Sequence, residues 1–153
     1  MTLGLAAIGL GSEDKAVLLH TLESYGVSAR LVYGKSDILL CAGRSDKRLP
    51  ECKVAVTFGC DSDTLGRLRD MGCTVITCGT APTDTLSISH IGESSSAVSL
   101  QRSLVSLGGR RFEPCEIPVR LCRKADSDIV SAVAAVLLLC GVGADKGFLL
   151  AGE

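Results

Sequence analysis

The stretch with the clearest chemical promise is Gly9-Leu10-Gly11-Ser12-Glu13-Asp14-Lys15-Ala16. A phosphate-binding loop has the form Gly-x-x-x-x-Gly-Lys-Ser/Thr. Backbone N–H groups of its glycine-rich turn wrap the phosphates, the lysine reaches the outer ones, and the hydroxyl holds Mg²⁺. Gly9 and Lys15 keep that spacing, but Asp14 stands at the second glycine and Ala16 at the metal-binding hydroxyl. Glu13 and Asp14 put negative charge where a triphosphate would sit. Two carboxylates at ~4 Å cost several kcal/mol in an effective dielectric of about 20, which Lys15 alone does not offset. Gly9, Gly11, Ser12 and Lys15 are therefore read as a remnant phosphate loop. The competing reading is an ordinary helix start, in which Ser12, Glu13 and Asp14 cap the N-terminus and Lys15 lies in solvent.

A second group of chemistry-bearing residues is Gly59-Cys60-Asp61-Ser62-Asp63-Thr64, followed by the corner Gly79-Thr80-Ala81-Pro82-Thr83-Asp84. Both come at the ends of expected parallel strands, where open α/β sheets bind ligands. Cys60 would offer a thiol, Asp61 and Asp63 polar anchors, and Gly79 a neighbouring turn. The alternative is that Asp61-Ser62-Asp63 is only a helix cap. No base accompanies the cysteine, and neither His20 nor His90 pairs in sequence with a nucleophile or an acid. Arg110-Arg111, after Gly108-Gly109, reads as a solvated turn or a clamp for an anion. The eight cysteines fall mostly in apolar runs and include no Cys-x-x-Cys pair. They read as small buried hydrophobes, and neither a metal nor a cofactor is expected.

The elements that must position these residues follow from the hydrophobic pattern. Leu3 to Ile8 is a short apolar run, and Val17, Leu18, Leu19 and Leu22 then line one side of a helix that ends at Gly26. Ala29 to Tyr33, Asp37 to Cys41, Lys53 to Phe58 and Val75 to Cys78 read as further strands, with a loop at Arg44 to Pro50 and a helix from Asp61 through Asp70. Continuous runs of this kind suit a buried parallel sheet. From Thr85 to Leu121 the spacing becomes alternating, as antiparallel strands require. A buried helix starts near Asp126 and carries Ile129, Val130, Val133, Val136 and Leu137 to Gly141. Phe148-Leu149-Leu150 is too short for a helix, as though the architecture stopped early. The expected fold is α/β: a mostly parallel sheet covered by helices, with a small antiparallel segment.

Composition narrows the function classes. The 153 residues suit one domain, and 46% apolar but only 3% aromatic content means a core of Leu, Val, Ile and Ala. Sixteen basic and seventeen acidic side chains nearly cancel, so nucleic acid and membrane surfaces are not expected partners. No run approaches the roughly 18 apolar residues of a spanning helix and the start is not that of a signal peptide, so the expected location is the cytoplasm.

Taken in order, three stretches resemble the central ATP-binding domain of the Mur ligases, which add amino acids to peptidoglycan precursors. Leu3 to Gly26 is similar to that family's first strand, phosphate loop and helix. Val54 to Cys78 is similar to its strand with an acidic turn and the next strand ending in Thr-x-Gly. Ser127 to Val142 resembles the helix carrying its His-Asn-x-x-Asn-Ala motif, with Ala132, Ala134 and Ala135 matching the alanines. The resemblance implies a P-loop-type fold without the family's flanking domains. It places the motif's histidine at Ser127 and its base-binding asparagines at Asp128 and Ser131, so a second part of the ATP site is altered as well. The expectation is a noncatalytic binding or assembly module, a homo-oligomer or one half of a pair with another protein. The alternatives are a small-ligand binder or weak enzyme using the loops near Cys60 and Gly79, and a nucleotide sensor working through the residual loop.

Overall fold

A computed structural model describes residues 2–43, 48–122 and 124–151; Arg44 to Lys47, most of the expected loop, lie outside them. The elements in chain order are β1 (Leu3–Ile8), α1 (Ser12–Ser24), β2 (Ala29–Leu31), β3 (Ser36–Ala42), β4 (Cys52–Phe58), α2 (Ser62–Asp70), β5 (Thr74–Gly79), β6 (Leu86–Ile91), β7 (Ser95–Leu100), β8 (Leu104–Val105), β9 (Arg111–Phe112), β10 (Cys115–Leu121), α3 (Ser127–Leu139) and β11 (Phe148–Leu150). Nine strands form one mixed, mostly parallel sheet in the order β11-β10-β7-β6-β5-β4-β3-β1-β2, while β8 and β9 pair as a separate hairpin. The chain is thus α/β, with a small antiparallel sheet and three helices among the described residues.

Alternation along the central strands sends side chains to two unequal layers. Leu5, Ile38, Leu40, Val54, Val56 and Phe58 face α1 and α3 in the main core. Ala6, Leu39, Cys41 and Ala55 face α2 in a much smaller cluster, to which the helix contributes Leu68. The imbalance follows from helix composition. From Ile129 to Leu139 every residue of α3 is buried, Ser131 included, and a helix apolar all round must be covered all round. The sheet lies beneath it, α1 beside it, and the β8–β9 hairpin adds Leu104 and Phe112 to the same core. Leu107 donates its N–H to the Leu139 carbonyl at 2.8 Å, and Arg110 donates from Nη1 to the Gly141 carbonyl at 2.9 Å. Arg110, with its guanidinium 4.8 Å from the Phe112 ring centre, therefore fastens the hairpin over the end of α3. It is exposed, as expected of a turn residue, but tethered rather than free in solvent.

The antiparallel half obeys the expected alternation. In β10, Ile117, Val119 and Leu121 are buried while Glu116, Pro118 and Arg120 are exposed, because an antiparallel sheet can leave one face in water. The short tail Phe148-Leu149-Leu150 is the edge strand β11, parallel to β10. It is held from the side by α1: Tyr25 Oη accepts from the Leu149 N–H at 2.7 Å, and Thr21 Oγ1 from the Ala151 N–H at 3.0 Å. No helix among the described residues is long and apolar enough to cross a membrane.

At the other edge β2 and β3 flank β1 on opposite sides, so residues 32–35 must carry the chain across it. Asp37 anchors the landing. Its Oδ2 accepts from the Gly4 N–H at 2.8 Å, and its Oδ1 lies 3.2 Å from Lys53 Nζ. The Gly4 N–H foremost, and Lys53 after it, hold the Asp37 carboxyl below its usual range against the opposing effect of burial. A depressed carboxylate pKa adds stability above the unfolded value, and this is lost as pH falls through the folded one. Asp37→Asn is therefore expected to cost about 1 kcal/mol at pH 7 and almost nothing near pH 2, read as the shift in urea midpoint at the two pH values.

Candidate functional site

Parallel strands bring their carboxyl ends to one edge, and the described residues with chemical promise gather there. β1 turns through Gly9-Leu10-Gly11 into α1, β4 through Gly59-Cys60-Asp61 into α2, and β5 through Gly79 to Asp84 into β6. Leu86 pairs with Cys78, and β6 runs on to Ile91, roughly 16 Å further. The β6–β7 hairpin therefore rises past the edge as a wall. β10 ends at the same edge, where α3 starts beside α1. A cavity of about 200 Å³ lies between the two starts, lined by Glu13, Asp14, Val17, Lys124, Ala125, Asp126 and Ile129.

The connection between β1 and α1 is three residues long. Gly9 has φ +81°, and a Cβ there would lie 2.4 Å from the Ala42 carbonyl oxygen. The glycine is thus required by the close passage of the end of β3. Gly11, not Ser12, is the N-cap of α1, with extended backbone and no side-chain cap; its carbonyl accepts the Lys15 N–H at 3.1 Å. This corrects the expected cap at Ser12. Ser12 and Glu13, which would wrap phosphate in an open loop, are already in the helix, with Asp14 and Lys15 in the same first turn. Asp126 caps α3 by accepting from the Ile129 N–H at 3.0 Å. Burial, then the neighbouring Asp126, raises the Asp128 carboxyl. Glu13, Asp14, Asp126 and Asp128 thus bring carboxylates to this end of the sheet, with Lys15 and Lys124 as the nearby cations among the described residues.

The second candidate group lies on the opposite face, because α1 packs on the main core and α2 on the smaller cluster. The sheet therefore separates Gly9, Gly11, Ser12 and Lys15 from Cys60, Asp61 and Asp63. Asp61 caps α2, accepting from the Thr64 N–H at 2.9 Å, and exposed Asp63 lies 3.6 Å from Arg67 one turn on. Gly79 ends the strand next to β4, as its corner requires, but Asp84 fills the space beside it. A Cβ on Gly79 would meet Asp84 Oδ2 at 2.4 Å, and that oxygen accepts from the Ala81 N–H at 3.1 Å.

The sequence reading missed the neighbour of Cys60. Cys41 leaves the end of β3 fully buried, and the Cys60 Sγ lies 3.7 Å from its Sγ and 3.3 Å from its carbonyl oxygen. The Cys41 S–H draws the Cys60 thiol down to about 7 with help from a backbone hydrogen bond at Phe58, while burial opposes it; the same contact pushes Cys41 up. The available signal was that the two cysteines close consecutive parallel strands. Cys115 and Cys122 are exposed at the two ends of β10, so they are not the small buried hydrophobes expected; Cys41 and Cys78 are. His20 is exposed on α1, and His90 lies in β6, its carbonyl accepting from Ser96 Oγ at 2.6 Å. No family model matches the chain, and no curated protein matches it.

Proposed function

We propose that this chain is a noncatalytic binding or assembly module, built on a Mur-ligase-like fold of the P-loop type that has lost its ATP chemistry. The observation that carries this reading is the three-residue β1–α1 connection, which winds the first turn of a helix through the space a wrapped phosphate loop needs. Three residues between strand and helix are too few to encircle a triphosphate as a longer glycine-rich loop does, and Glu13 and Asp14 repel it. Self-association is supported by Tyr33, 98% exposed, with Met71 also exposed nearby on the rim of a cavity of about 650 Å³ at the amino end of the sheet. A large ring left in water is covered at little cost by another subunit.

The test is titration calorimetry with Mg-ATP and ADP, on the natural protein and on an Asp14→Gly, Ala16→Thr variant. Both are expected to stay silent, because restoring two residue types does not lengthen the connection. Heat from the natural protein would make it a nucleotide sensor and defeat the proposal. Heat from the variant alone would mean that charge and the missing hydroxyl were the obstacle, not loop length. Light scattering is expected to give a mass above that of a single chain, and a clean monomer with no partner recovered from its host would count against an assembly role.

A further inference from the structure

We propose that Cys41 and Cys60 are a redox-active dithiol that closes to an intramolecular disulfide when the protein meets a hydroperoxide. The geometry that carries this is the meeting of two strand ends. The register sets Cys41 opposite Thr57 and Ala42 opposite Phe58, so the turn leaving β4 passes over the end of β3. The two sulfurs lie 3.7 Å apart, and a bond at about 2.05 Å asks for a closure of less than 2 Å. The pair is also asymmetric, as a peroxide-reactive dithiol must be. Cys60 is partly exposed and Cys41 fully buried behind it, so one sulfur meets the oxidant and the other waits.

The Cys60 thiolate attacks one peroxide oxygen and breaks the O–O bond. Cys60 becomes a sulfenic acid, and the departing oxide takes a proton from solvent. Cys41, giving up its proton, then attacks the Cys60 sulfur, and the sulfenic hydroxyl leaves as water. Two thiols and one hydrogen peroxide become one disulfide and two waters, with sulfur oxidised and peroxide oxygen reduced. The thiolate is accessible near neutral pH because Cys41 lowers the Cys60 pKa.

The new bond would tie the turn before α2 to β3. A second cysteine pair at the other end of α2 serves as an internal control. Cys73 donates its S–H to the Leu68 carbonyl at 3.2 Å, and burial, together with Cys73, pushes the Cys52 thiol up to about 12. That pair should stay reduced while Cys41 and Cys60 react.

The experiment treats the full chain with a small excess of hydrogen peroxide, blocks remaining thiols with iodoacetamide, and maps cysteine peptides without reduction by mass spectrometry. A Cys41–Cys60 link should dominate, formed before any Cys52–Cys73 link. It should be reversed by dithiothreitol and raise the melting temperature by about 6–12 °C, as a closed loop of this length implies. In Cys41→Ser the link is lost, and dimedone should trap a sulfenic acid on Cys60. A natural protein whose Cys41 and Cys60 stay alkylatable while Cys115 or Cys122 oxidises would overturn the proposal. So would a Cys52–Cys73 link forming first. The mapping of the natural protein decides the matter even if the serine variant does not fold.

Discussion

Gly9→Ala is expected to lower stability by roughly 2–4 kcal/mol, or about 6–15 °C in melting temperature, although it adds one methyl group at a residue that is itself exposed. Two costs add. An L side chain at φ +81° sits in the left-handed region, and its Cβ would lie 2.4 Å from the Ala42 carbonyl, a backbone atom that cannot swing aside. Relief requires β1 and β3 to part where Ile8 pairs with Cys41. Gly11→Ala is the control: its backbone is extended at φ −69°, nothing lies within 4 Å of the methyl it would gain, and the change should stay within about 1 kcal/mol. Calorimetric melting of both variants separates a steric glycine from a ligand-binding one. A Gly9→Ala protein that melts with the natural one would show that the strand ends do not meet as described.

Leu137→Ala should be as damaging, at about 3–5 kcal/mol by urea denaturation. Leu137 is fully buried in a helix enclosed by the sheet, α1 and the β8–β9 hairpin, so no flank is free to collapse into the space left by the lost side chain. Leu68→Ala makes the same chemical change on the thin face. There the helix spans nine residues and buries only Thr64 and Leu68, and its neighbours Cys60 and Cys73 are only partly buried. The expected loss is smaller, about 2 kcal/mol, and local. Amide exchange should accelerate across residues 62–70 while α3 stays protected. Equal global losses from the two substitutions would mean that the layers unfold as one.

Much of this architecture was legible in the residues. The apolar runs located β1, β3, β4 and β5, and the start of α3 was marked by Asp126 before an Ala-rich apolar stretch, because buried parallel strands and buried helices leave patterns of different period and length. Alternation from Leu86 to Leu121 gave away the antiparallel half for the same reason. The two-residue strands β8 and β9 and the terminal β11 were not legible. Segments so short carry no period, and their pairing is decided by what they pack against: α3 for the hairpin, β10 and α1 for Phe148–Leu150.

Residue type alone also determined the acidic character of the first turn of α1, with Asp14 and Ala16 at the positions where a phosphate loop needs a glycine and a hydroxyl. Only the tertiary structure decided why Gly9 is there, through its approach to Ala42 from a strand distant in sequence. Only it set the turn at residues 9–15 and the Cys60 turn on opposite faces, since the choice of face depends on how α1 and α2 pack. The pairing of Cys41 with Cys60 has the same origin: strand register is a long-range property, and it makes neighbours of two cysteines that local sequence presents as unrelated.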